Sequence, residues 1–92
     1  MNKRQLVAAT ARRSSLTQGQ VREALESAVE VIAATLRDGD HVLIGGFGRF
    51  DVQPYPARSL QRFDGSGHYP VESRPVPVFR SSKRLRQKVR GE

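Results

Sequence analysis

The 92-residue chain has no cysteine and no tryptophan, and its aromatic residues are four phenylalanines and two tyrosines. Without cysteine it can form no disulfide, thiolate zinc site or catalytic thiol, which fits a reducing compartment. No apolar run approaches the roughly 18 residues that a membrane-spanning helix needs. No signal-like apolar stretch follows the basic N-terminus. These absences predict a small, soluble, cytoplasmic protein.

Arrangements typical of catalysis are also missing. His41 and His68 lie far apart in the sequence, and neither stands in a cluster of acids with metal-ligand spacing. The motif Gly-x-Ser-x-Gly is absent. The glycines at 45, 46 and 48 lack the Lys-Ser/Thr ending of a phosphate-binding loop, so they indicate a turn. We therefore expect no enzyme activity, no metal and no cofactor.

What the chain has in excess is positive charge. It carries 16 Lys and Arg against 9 Asp and Glu, a net charge of +7. Residues 1–46 hold six cations and five acids, whereas residues 47–92 hold ten cations and four acids. Such a balance favours a polyanionic partner, nucleic acid before an anionic membrane surface. The second half of the chain is expected to meet that partner.

The first 39 residues show a helical pattern. Asn2 with Gln5 and Thr17 with Gln20 have the spacing of capping boxes, and Gly39 stands where a second helix would stop. That helix has an apolar face that includes Leu25, Val29, Ile32 and Leu36. Its outer face carries Glu23, Glu26 and Glu30, which would meet phosphates, so it is a poor recognition helix. The helices are instead expected to form a dimerisation part.

Residues 40–80 have the pattern of a β-sheet. His41–Ile44 reads as a strand, Gly45–Gly48 as a turn, and Phe50 and Val52 as alternate positions of a second strand. All five prolines lie between residues 54 and 77. Because proline has no N–H to donate to a β-ladder, this stretch is expected to be an edge strand or a free arm. We predict a projecting β-hairpin arm over about 53–75. Residues 81–92 should form a short basic helix, capped by Ser81 or Ser82.

A chain of this size buries little apolar surface once an arm is excluded. Two copies would share their apolar faces and supply the missing burial. The sequence therefore predicts one domain, residues 1–92, that acts as a dimer.

These segments resemble the HU and integration host factor family of bacterial nucleoid proteins. The resemblance runs without a gap from Met1 to about Arg90. It rests on five segments: Met1-Asn2-Lys3-x-Gln5-Leu6, Gly39-Asp40, Gly46-Phe47-Gly48-x-Phe50, Val76-Pro77-x-Phe79-Arg80 and Lys83-x-Leu85-Arg86-x-x-Val89. It implies an α+β fold in which two subunits intertwine, with a helical base, an antiparallel β-sheet saddle and two β-ribbon arms that follow the minor groove of DNA.

The resemblance also assigns roles to residues. It implies DNA contacts at Lys3, Arg58, Gln61, Arg62, Phe63, Arg74, Arg80, Lys83 and Arg86. It places Phe47, Phe50 and Phe79 in the dimer core, where we also expect the apolar face of the second helix. The family usually has Arg-Asn-Pro at the arm tip, whereas this chain has Gln61-Arg62-Phe63. Phe63 is therefore the expected intercalating wedge, since minor-groove proteins use Phe as well as Pro.

The function expected from this resemblance is architectural and largely independent of DNA sequence. A homodimer would bend or wrap double-stranded DNA in the nucleoid in the manner of a histone-like protein, with nicked, bent or junction DNA as further targets. A paralogue could replace one subunit. Pro70-Val71 and the pair Arg80 and Arg86 resemble integration host factor, which has preferred sites, whereas Val76-Pro77 resembles HU.

Two competing hypotheses come from other classes of protein. A small ribosomal or other RNA-binding protein would share the size and charge. A basic module that recruits an acidic protein would bind through residues 80–92.

Overall fold

A computed structural model describes residues 1–55, 58–61, 68–71 and 74–92, with side chains for 1–54 and 74–92. The described chain forms an α+β structure. Its helices are α1 (Lys3–Arg13), α2 (Gln18–Arg37) and α3 (Lys83–Arg90). Its strands are β1 (Val42–Ile44), β2 (Gly48–Tyr55), β3 (Arg58–Gln61), β4 (His68–Val71) and β5 (Arg74–Ser81). Residues 1–34 and residues 35–92 form two compact units.

Both predicted capping boxes are confirmed. The Asn2 side chain accepts from the backbone N–H of Gln5, and the Gln5 side chain accepts from the backbone N–H of Asn2, both at 2.9 Å. Thr17 and Gln20 make the same reciprocal pair at 3.1 and 2.9 Å. Each box satisfies two backbone donors that a helix start leaves without an intrahelical partner. Residues 14–17 separate the two helices.

The first unit has a small buried core. Val7 of α1 and Val21 of α2 are 1% and 6% exposed, and they are the buried apolar residues of the described chain. Complete burial of one such side chain contributes about 1.5–3 kcal/mol. Two valines alone thus provide little of the stabilisation that a folded chain requires.

The second helix ends as predicted, and the first strand begins one residue late. Gly39 has a φ of +84°, a left-handed conformation that a glycine adopts without a steric penalty. The expected strand begins at His41, but β1 begins at Val42. The backbone N–H of His41 donates to Oδ1 of Asp40 at 2.7 Å, so this donor is engaged locally.

The main sheet has three antiparallel strands in the order β1-β2-β5. β1 pairs with β2 only as far as Phe50, which lies opposite Val42. β2 then continues with β5 as its neighbour, as far as Tyr55 opposite Arg74. Pro54 lies opposite Pro75 in this extension, where β1 no longer pairs with β2.

Two further segments of the predicted arm are paired strands. β3 and β4 run antiparallel, with Arg58 opposite Val71 and Gln61 opposite His68. Residues 62–67, which link them in the chain, lie outside the described residues.

The last helix is held to the sheet by its first residues. Ser82 is the N-cap, since its Oγ accepts from the backbone N–H of Leu85 at 3.0 Å. The backbone N–H of Ser82 donates to the carbonyl of Phe47 at 2.9 Å, which ties the start of α3 to the glycine-rich turn. Gly91 ends the helix in the left-handed conformation, with a φ of +83°.

Candidate nucleic-acid interface

The three-stranded sheet has a charged face and an aromatic face. Arg49 and Asp51 flank Phe50 along β2, and Phe79 precedes Arg80 along β5. Successive side chains of a strand point to opposite faces. The register places Arg49 opposite Arg80 and Phe50 opposite Phe79. One face therefore carries the arginines and Asp51, and the other carries the phenylalanines.

Arg80, a predicted DNA contact, belongs to an ion-pair cluster on the charged face. Its Nε lies 3.4 Å from Oδ2 of Asp51. The other oxygen of the same carboxylate, Oδ1, accepts a hydrogen bond of 2.8 Å from Nε of Arg49. Two cations and one anion give this cluster a net positive charge.

Phe79 contacts both of the other phenylalanines expected in the dimer core, Phe47 and Phe50. The ring centroid of Phe79 lies 5.2 Å from that of Phe47 and 5.0 Å from that of Phe50, both at tilted angles. Tilted aromatic pairs at such distances are favourable beyond the area that they bury. Phe47 and Phe79 are nevertheless 42% and 41% exposed in the single chain. The cluster thus leaves aromatic surface that a partner could cover.

The apolar face of α2 is likewise incompletely covered. Leu25, Ile32 and Leu36 are half-buried, and Val29 is 53% exposed. These four residues are the remaining members of the predicted dimer core.

Lys3 lies in the first unit at the start of α1. Its Nζ forms an ion pair of 3.1 Å with Oε1 of Glu26 on α2. Both side chains stay more than half exposed, so the pair is in contact with solvent. The predicted contact residue is therefore engaged with an acid of its own chain.

Lys83 and Arg86 lie on α3 and are both exposed. Arg86 also has a structural contact, because its Nη1 donates to the carbonyl of Ser81 at 2.5 Å and lies 3.3 Å from the Ser81 hydroxyl. This bond satisfies a carbonyl at the junction of β5 and α3. Arg86 thus serves the fold as well as the charge of the helix.

The remaining predicted contacts fall in the arm. Arg58 and Gln61 lie at the two ends of β3, where only the backbone is described. Arg74 opens β5 and is exposed. Arg62 and Phe63 lie outside the described residues.

Known proteins that are similar to this chain bind DNA. The model of the bacterial DNA-binding protein family matches residues 1–90. The chain belongs to the HU family of bacterial DNA-binding proteins. It is 32% identical to the DNA-binding protein HU of Haemophilus influenzae, over 98% of this chain and 100% of that protein. It is 30% identical to DNA-binding protein HU 1 of Bacillus subtilis, with both chains covered completely.

A solved structure shows the same fold. The cocrystal structure of Anabaena HU with DNA superposes with a TM-score of 0.89 at 34% identity, covering 97% of each chain. The resemblance to HU proteins and the HU-like α+β fold expected from the sequence are confirmed.

Two residues of this HU-family chain were missed among the predicted sites. Neither Arg49 nor Asp51 belongs to the expected set, yet Asp51 contacts Arg80 and Arg49 lies directly opposite Arg80 on the charged face. The available signal was the alternation along β2, which puts both residues on the face opposite Phe50.

Two other kinds of feature are absent from the described parts of this HU-family chain. Among residues 1–54 and 74–92, whose side chains are described, no three His, Asp or Glu come together as potential metal ligands. No helix of the described chain has the length and apolar character to span a bilayer.

Proposed function

We propose that two copies of this chain form a homodimer that binds double-stranded DNA and bends it. As a member of the HU family, the chain is an architectural DNA-binding protein, and the proposal concerns how it binds. The observation that carries the proposal is the two-faced sheet. One face holds Arg49 and Arg80, and the opposite face holds Phe50 and Phe79. Phe47 of the adjoining turn contacts Phe79, and both of these rings have exposed aromatic surface.

The exposed apolar surface supports the dimer. In a single chain, Val29, Phe47 and Phe79 each expose apolar surface to water. Among the described residues, the first unit buries only two valines. Burial of apolar area contributes about 25 cal/mol per Å². A second copy supplies identical apolar faces, so a symmetric dimer is the simplest partner.

The charge supports a phosphate backbone as the ligand. Two chains of +7 give a dimer of +14. Neutralising phosphates releases condensed counterions, which supplies sequence-independent affinity. Arg80, Lys83 and Arg86 would meet the duplex near the sheet, and Lys3 would extend the contact from α1.

The arm supports bending. Arg58, Arg62 and Arg74 would follow the minor groove, with Gln61 and Phe63 near the tip. The minor groove shows a degenerate pattern of base edges, so a protein there selects flexible or distorted steps. Nicked, bent and junction DNA should therefore bind at least as well as intact duplex, and the site of action would be the cytoplasmic nucleoid.

A gel-shift series tests the proposal. Intact, nicked and junction duplexes are titrated at several salt concentrations, with structured RNA as competitor and sedimentation for the oligomeric state. If about eight phosphates are neutralised by each dimer, log K falls with log salt at a slope of roughly −7. A slope near zero, a monomer, or preference for RNA would contradict the proposal.

The same series separates the alternatives. Equal affinity for unrelated duplexes supports an HU-like binder, and a strong preference for one sequence supports a binder like integration host factor. A recruiting module would instead bind through residues 80–92 alone and would tolerate changes at Arg58 and Phe63.

A further inference from the structure

Arg49 and Arg80 occupy directly opposite positions of the β2–β5 ladder. Like charges at such positions repel, since the Cβ atoms of a cross-strand pair lie about 4.5–5.5 Å apart. Asp51 follows Arg49 by two residues and so projects from the same face. The sheet therefore gathers two guanidinium groups and one carboxylate in a small area.

Asp51 contacts both guanidinium groups with different oxygens. Its Oδ1 lies 2.8 Å from Nε of Arg49, and its Oδ2 lies 3.4 Å from Nε of Arg80. The Asp51 side chain is only 19% exposed, whereas the side chains of Arg49 and Arg80 are 48% and 58% exposed. The acid is thus the covered member of the cluster, and the two cations are open to solvent.

This geometry prepares the arginines for an external anion. A guanidinium has five N–H donors in a fixed fork. Both contacts with Asp51 are made at Nε, as a hydrogen bond from Arg49 and as an ion pair with Arg80. A long side chain that is already held in place loses less conformational entropy when it binds a ligand, so binding is more favourable. The partial neutralisation by Asp51 also lets the two cations stand side by side.

The space next to the cluster fits a small oxyanion. A shallow groove of about 390 Å³ is lined by Arg49, Asp51, Val52, Gln53 and Arg80. Two guanidinium groups with one carboxylate leave a net positive charge at this groove. Arginine forks match the oxygens of a phosphate better than a point charge does.

We propose that Arg49 and Arg80 together bind one backbone phosphate of duplex DNA, and that Asp51 is the positioning residue that holds both guanidinium groups. The inference rests on the proposed function, because that function names DNA as the ligand. It adds Arg49 to the proposed DNA contacts. It also means that Asp51, although negatively charged, favours DNA binding. Phosphate contacts carry no base information, so the site adds affinity for every sequence alike.

The first test removes one fork. Arg49→Met should weaken binding of the full-length protein to an intact duplex about tenfold, the lower end of the range for hydrogen bonds to charged groups. Asp51 then neutralises the remaining Arg80, so each chain of the dimer loses its phosphate contact. The salt slope should become less steep by roughly 2, at about 0.9 for each lost contact. Arg22→Met removes the same charge from an exposed position of α2 and should change affinity less than twofold. An equal loss in both variants would overturn the inference.

Two further variants separate position from charge. Arg49→Lys keeps the charge without the fork, so it should retain the salt slope and still bind about threefold more weakly. Asp51→Asn removes an acid, and simple repulsion of DNA by Asp51 predicts tighter binding. A positioning role predicts about threefold weaker binding, in line with the coupling of exposed ion pairs. Tighter binding by Asp51→Asn, or wild-type affinity of Arg49→Lys, overturns the proposal.

The wild-type protein distinguishes this inference from the proposed function. If the wild type does not bind duplex DNA, the proposed function fails. If it binds with a steep salt slope and Arg49→Met binds equally well, only the present inference fails. Urea unfolding of each variant verifies the fold, and Arg49→Lys and Asp51→Asn decide the matter if Arg49→Met does not fold.

Discussion

Lys3 and Glu26 form an ion pair between the two helices of the first unit, with Nζ 3.1 Å from Oε1. Their side chains are 61% and 51% exposed, so the pair is accessible to a competing phosphate. Exposed pairs of this kind contribute about 0.2–1 kcal/mol to stability. If Lys3 contacts DNA as proposed, a phosphate must replace Glu26 as its partner, and the acid weakens binding.

Glu26→Gln is therefore expected to tighten DNA binding. The change frees Lys3 and removes a negative charge beside it, while the free energy of unfolding falls by no more than about 1 kcal/mol. Fluorescence anisotropy with a labelled duplex at low salt measures the affinity. Glu23→Gln removes the same charge from another exposed position of α2. Equal gains from both substitutions would mean that Lys3 has no special part.

Features that depend on local sequence were predicted well. The capping boxes at Asn2 and Thr17 need only a residue and its neighbour three positions on, and both are present. Gly39 ends α2 because its φ is positive, which few other residues tolerate. Local rules of this kind predicted the order of helices and strands.

Two relationships that depend on strand register or helix packing were not predicted. Arg49 meets Arg80 only because β2 and β5 pair in one particular register. Likewise, Lys3 meets Glu26 through the packing of two helices, 23 residues apart in the chain. A sequence pattern shows which face of an element a residue occupies, but not which distant residue lies beside it.

Gly48 is expected to tolerate no side chain. A Cβ at this position would lie 2.5 Å from two ring atoms of Phe79 and 2.7 Å from the carbonyl oxygen of Arg80. Gly48→Ala should therefore lower the free energy of unfolding by roughly 1–3 kcal/mol, the usual cost of overpacking. Urea unfolding followed by circular dichroism measures the change. Gly45→Ala is the control, since nothing lies within 4 Å of its added Cβ, and equal midpoints for the two variants would contradict the prediction.

Arg86 and Lys83 should differ in what they contribute, although both are basic residues of α3. Arg86 donates to the Ser81 carbonyl, and a hydrogen bond to a charged group contributes about 1.5–3 kcal/mol in covered sites and less when exposed. We expect Arg86→Met to lower both the urea midpoint and DNA affinity, and Lys83→Met to lower affinity alone. Both variants should reduce the salt slope similarly, because each loses one charge per chain. An unchanged midpoint in Arg86→Met would show that the Ser81 contact does not stabilise the fold.

Phe63 lies outside the described residues, and its proposed role as a wedge is open to direct measurement. Energy transfer between dyes at the two ends of a duplex reports the bend that the protein induces. Phe63→Ala removes the ring that would offset the few kcal/mol needed to unstack a base step, so the bend should decrease. Phe63→Pro introduces the residue that the HU family usually has at this position and should preserve the bend. The salt slope should stay the same in both variants because no charge changes. A bend angle unaffected by Phe63→Ala would therefore remove Phe63 from the bending mechanism and leave the phosphate contacts to account for it.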